Sequence, residues 1–154
     1  MDLEPHEQLV LEIVREVVGD LVQDGHARLE VQPAGLLGAN RALFAISPAE
    51  PDACPVSLHC EAPGDLNLSV GRYALLIDVW ERDPGKFAEV IRELLVAIVA
   101  GAYEEEVRLA RDGTAGKGRG TFKLPRGPVT FTYSSLWTLG RRGPWQRIRY
   151  SPYA

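Results

Sequence analysis

The thirty residues from Asp83 to Asp112, DPGKFAEVIRELLVAIVAGAYEEEVRLARD, change hydrophobic period once, and that change limits the folds open to the chain. Asp83 before Pro84 marks a helix start. An Asp side chain accepts from the free N–H groups of a first turn, and proline at the first helical position forfeits no bond. Phe87, Val90, Ile91, Leu94, Leu95 and Ile98 then recur at steps of three and four, which lays them along one buried stripe. Gly101 stands where a left-handed cap ends a helix. Beyond it the period is two: Tyr103, Glu105, Val107 and Leu109 share one strand face, and Glu104, Glu106 and Arg108 share the other. A greasy helix feeding a two-faced strand requires a sheet for the helix to cover.

The flanking sequence supplies that sheet. Pro5 to Asp24 carries a second apolar stripe (Leu9, Val10, Ile13, Val14, Val17, Leu21) stopped by Gly25, and predicts the first helix. Ala27, Leu29 and Val31 alternate with polar residues up to Pro33, and Arg41–Ser47 reads as a more central strand. Prolines at 48, 51 and 55 make a loop between them and the next pair. Val56–Glu61 and Leu66–Arg72 flank Ala62-Pro63-Gly64-Asp65, the residue order of a type II turn, so Val56, Leu58 and Cys60 should oppose Leu66, Leu68 and Val70. Tyr73–Val79 is a further strand. After Leu109 the glycine run DGTAGKGRG reads as a hairpin tip, followed by strands at Thr121–Leu124 and Val129–Ser134 and a last hairpin of Leu136–Leu139 with Trp145–Tyr150. The whole of 1–154 is expected to be one α+β domain: two layers, with a curved, mainly antiparallel sheet and two amphipathic helices on one face.

Composition narrows the class. The chain opens MDLEPHEQ, unlike a secretory signal, and no apolar run is long enough to cross a membrane, so a cytoplasmic protein with no membrane partner is expected. Cys54 and Cys60 are then expected as reduced thiols. The net charge of −4 hides a split. Residues 1–110 hold 8 basic and 20 acidic side chains, whereas residues 111–154 hold 9 basic and one acidic. Such asymmetry bears on partners rather than on fold.

No catalytic signature survives inspection. Around Lys117 the glycines lack the leading Gly, the trailing Ser or Thr and the helix of a phosphate loop, and a dinucleotide fingerprint also needs that helix. Cys54, His59 and Cys60 supply too few ligands for a structural zinc site, and His59 and Cys60 point to opposite strand faces, so no metal or cofactor is expected. No Gly-x-Ser-x-Gly elbow is present. Glu105 shares an apolar strand face and is expected at the sheet rim, where an ionised carboxylate keeps its water.

The last 44 residues combine Lys117, Arg119, Lys123, Arg126, Arg141, Arg142, Arg147 and Arg149 with seven of the chain's twelve aromatics, Trp145 among them. The leading expectation is a non-enzymatic adaptor that binds an acidic protein through Lys117, Arg119, Lys123, Arg141, Arg142, Trp145, Arg147 and Arg149, or binds a second copy as a homodimer. The competing structural expectation is that these cations are neutralised by the acidic residues of the same fold. One functional alternative is a small-molecule pocket, or an enzyme, between helices and sheet, with Glu105 or His59 lining it. Another is single-stranded nucleic acid, which arginines and aromatics also suit. The order helix, strands, helix, strands resembles that of small bacterial secretion chaperones and toxin-neutralising immunity domains; the resemblance implies action by binding another protein.

Overall fold

A computed structural model describes residues 2–34, 41–109, 113, 115–134 and 144–154. In chain order the elements are α1 (Pro5–Gln23), β1 (Ala27–Ala34), β2 (Arg41–Pro48), β3 (Val56–Ala62), β4 (Asp65–Val70), β5 (Leu75–Trp80), α2 (Pro84–Val99), β6 (Tyr103–Leu109), β7 (Ala115–Leu124), β8 (Gly127–Ser134) and β9 (Trp145–Arg149). The α+β expectation holds, with every named strand pair antiparallel. The curved, unclosed β layer comes as two hydrogen-bonded sheets, β1-β2-β3-β4-β5 and β8-β7-β6-β9.

Local signals place the elements that position the site. Asp83 accepts from Lys86 N at 2.9 Å and caps α2, whose Phe87, Ile91, Leu94, Leu95, Ala97 and Ile98 are buried. The Pro63-Gly64 turn sets the β3–β4 register, pairing Val56 with Val70, Leu58 with Leu68 and Cys60 with Leu66. Helix α1 packs on β1, β3 and α2, while α2 reaches β5 and β7 and so bridges the two sheets. An Arg92–Glu16 fork, with both bonds at 2.9 Å, ties the helices at the surface. Buried Glu7 ties α1 to β2: one oxygen accepts from Ala42 N at 2.7 Å and the other from Glu4 N at 2.8 Å.

Two details depart from the sequence expectation. Strand β1 runs through Pro33 to Ala34, which an edge strand permits because its outer N–H positions need no partner. Strand β7 begins at Ala115, so most of the glycine run is strand rather than hairpin tip. Gly118 and Gly120 lie on its inner face, opposite Val107 and Glu105. A Cβ on Gly118 would stand 3.1 Å from Leu75 Cδ2 of β5, and one on Gly120 would collide with the Tyr103 ring. The missing side chains make room for Leu75 of the first sheet at Gly118 and for the Tyr103 ring of β6 at Gly120. Strand β9 pairs with β6, at the opposite edge from β8; Leu136–Leu139, the other arm of the expected last hairpin, lies outside the described residues.

Gly120→Ala should lower stability by about 2 kcal/mol, an ordinary overpacking cost. Gly19→Ala in α1, where nothing lies within 4 Å, should raise it by about 0.5–1 kcal/mol. Urea midpoints measure both; equal effects of one sign would contradict the packing described.

Candidate functional site

The second sheet has two faces that do different work, and Glu105 sets which is which. Contrary to the rim expectation, Glu105 is buried, with 1% of its surface exposed. Two hydroxyls make this tolerable: Tyr103 donates to Oε2 at 3.1 Å and Tyr150 donates to Oε1. Tyr150 in turn accepts from Arg72 N at 2.7 Å, which links β6 to the turn between β4 and β5. Gly71 opens that turn at φ +82, and a Cβ there would lie 2.5 Å from Glu105 Oε2. Tyr103 and Tyr150 stack at 5.8 Å and Tyr103 meets Phe122 at 4.7 Å, closing the space around the carboxyl. Burial pushes the Glu105 carboxyl above its ordinary range, against the tyrosine bonds and the Arg72 backbone, which pull it down. Burial also raises both tyrosines, and the neighbouring carboxylate adds to the effect.

With Tyr103, Glu105 and Val107 inside, Glu104, Glu106 and Arg108 face outward. Register then places Thr121, Arg119 and Lys117 of β7 beside them on one side and Arg149, Arg147 and Trp145 of β9 on the other. Lys123 extends the β7 row, and Thr130 and Thr132 of β8 continue the face. Thr121 and Thr130 hydroxyls lie 3.0 Å apart. Among the described residues, six cations share this face with two carboxylates, a formal charge of +4.

Most of these cations are engaged, Arg119, Lys123, Arg147 and Arg149 each with a carboxylate. Arg119 Nε donates to Glu106 at 2.8 Å. Lys123 (3.2 Å), Arg147 (3.2 Å) and Arg149 (3.6 Å) converge on Glu104, and Arg147 also approaches Glu106 at 3.6 Å. Arg126 pairs with Glu93 of α2 at 3.2 Å. Burial opposes ionisation of Glu104, but the Lys123 bond and the charges of Arg147, Lys123 and Arg149 prevail and hold it below the usual carboxylate range. One carboxylate cannot saturate three cations, since each guanidinium alone carries five N–H donors. Spare donors therefore remain on side chains that are largely in water, Arg147 at 52% and Arg149 at 72% exposed. On the same face lies a depression of about 170 Å³ lined by Glu104, Glu106, Arg119, Thr121, Thr130 and Arg147.

Lys117, Arg119, Lys123, Trp145, Arg147 and Arg149 thus share one face, whereas Arg141 and Arg142 lie outside the described residues. Glu105 and His59 do not meet. His59 sits on the outer face of β3, where its Nδ1 lies 2.9 Å from Glu61 and its Nε2 has no partner. Its neighbour Cys60 points into the core. Burial pushes the Cys60 thiol up to about 12 and Cys54 further, so neither offers a thiolate at neutral pH. Both cysteines are free. Among the described residues no three His, Cys, Asp or Glu side chains gather as metal ligands. No helix among them is long and apolar enough to cross a membrane. Tyr103 shares the strand face of Glu105 and was within reach of sequence reasoning, whereas Tyr150 was not, because nothing local links residues 45 apart. Thr121 and Thr130 could have been found from the alternation of their strands.

No protein-family model matches the chain, no curated protein matches it, and no solved structure matches it.

Glu105→Ala, which strands two buried hydroxyls, should cost about 3 kcal/mol in urea unfolding. The pH dependence has a definite sign. A carboxyl raised in the folded state stabilises it below the unfolded value, and that contribution disappears as pH climbs through the folded value. The stability of wild type minus that of Glu105→Gln should therefore fall as pH rises from about 4.5; a flat difference would contradict a raised carboxyl.

Proposed function

We propose that this chain is a non-enzymatic interaction domain that binds an acidic protein partner through the outer face of its second sheet. The observation that carries the reading is the excess of six cations over two carboxylates on one solvent-facing surface. Cations pre-positioned by Glu104 and Glu106 cost less ordering entropy when an incoming carboxylate arrives, and complementary charge speeds the encounter. Trp145, 46% exposed at the edge of the same face, is the kind of side chain that anchors such contacts. The acidic surplus lies elsewhere, on α1, the first sheet and the loops that join them, so charge is separated in space as well as along the chain. We place the protein in the cytoplasm, a reading supported by two buried thiols left unpaired. A chaperone- or immunity-like role fits the same chemistry: each would hold an acidic client or toxin against a basic sheet.

The test is capture from lysate by wild type and by the Arg119→Gln/Lys123→Gln/Arg147→Gln variant, with folding checked by circular dichroism. Wild type should retain a small set of proteins of low isoelectric point, released between about 0.1 and 0.5 M salt as screening shortens the field. The variant should lose them. An identical captured set would overturn the reading.

A further inference from the structure

We propose that the open edge of β9 accepts an extended acidic segment of the partner as an additional strand of the second sheet. The inference rests on the acidic-partner reading and specifies how that partner docks. β9 ends the sheet, and among the described residues its only ladder is with β6. Trp145, Gln146, Arg147 and Arg149 are exposed and Ile148 is half-buried. In an antiparallel pair every second residue turns its N–H and C=O away from the neighbouring strand, so this edge offers hydrogen-bonding groups at the spacing of a missing strand.

The other edges are less suited to such a segment. β8 carries Pro128 and no cation on its outward side, β1 contains Pro33 and mixes Arg28 with Glu30, and β5 lies against β7 at Gly118. Among the described residues, only β9 combines an unpaired ladder edge with side chains of a single charge. Arg147 and Arg149 are two residues apart, on the face where Glu104 and Glu106 already hold them. Acidic residues at every second position of an added strand would stand beside them, within reach of donors that Glu104 and Glu106 leave unused. The same charge argues against a second copy as occupant. Two β9 strands side by side would bring arginines opposite arginines, which is how natural edges avoid self-pairing.

The probe is a fluorescein-labelled synthetic peptide of alternating Glu and Thr, with a Lys–Thr counterpart as the charge control. Two further versions are N-methylated, one at every Glu and one at every Thr. Binding is read by anisotropy, and amide exchange is followed at residues 145–149. The Glu–Thr peptide should bind where the Lys–Thr peptide does not, and should slow exchange in β9. Strand addition uses only one of the two sets of peptide amides, so one N-methylated version should bind about tenfold or more weakly than the other. Equal binding of the two versions, with β9 exchange unchanged, would overturn strand addition while leaving the acidic-partner reading intact. Failure of every Glu peptide to bind at low salt would overturn both.

Discussion

A carboxylate held in the dark by two tyrosines is the interaction on which the second sheet depends. Glu105 reaches Tyr103 on its own strand and Tyr150 just beyond β9, and Tyr150 reaches the backbone of the turn joining β4 to β5. One side chain therefore fastens β6, the C-terminal strap and the first sheet together. Side chains alternate along a strand, so burying Glu105 forces Glu104 and Glu106 outward. A slip by one residue would put two carboxylates inside and Tyr103 in water. The strap is further secured by Ser151 N on Asp52 O, at 3.0 Å, and by Tyr153, whose hydroxyl donates to Cys54 O at 2.6 Å.

From that phase the charge pattern follows. Glu104 and Glu106 become a spine with cations in rows on either side, from β7 and from β9. Individually such exposed pairs contribute little, about 0.2–1 kcal/mol. Collectively they hold long side chains in place without cancelling their charge. The sequence left two outcomes open for the basic tail: neutralised within the fold or displayed outside it. Both occur at once: Arg119, Lys123, Arg147 and Arg149 are paired, and the described cations outnumber the carboxylates of their face.

How much of this was legible in the sequence differs by element, for physical reasons. The Asp83–Pro84 start of α2, its stop at Gly101 and the Pro63–Gly64 hairpin are written locally, because caps and turns depend on adjacent residues. The outward sharing of Glu104, Glu106, Arg119 and Lys123 followed from alternation alone. What failed was non-local. Gly118 and Gly120 look like turn residues, and only Leu75 and Tyr103 packed against them explain why they belong in a strand. The pairing of Glu104 with Arg149 spans 45 residues and leaves no periodic trace. Glu105 was assigned to the rim because an unpartnered buried carboxylate is costly, and its second partner, Tyr150, lies 45 residues away.

The most direct measurement compares how an anionic and a neutral paramagnetic probe of similar size relax the amide protons of the free protein at low salt. A face that remains positive despite its ion pairs should draw the anionic probe to residues 117–123 and 145–149 above the neutral one, with the excess fading as salt is added. The amides of α1 and the first sheet should show the reverse. Equal relaxation by the two probes along β7 and β9 would mean that Glu104 and Glu106 cancel the field of that face, and would contradict its proposed role as a surface for acidic partners.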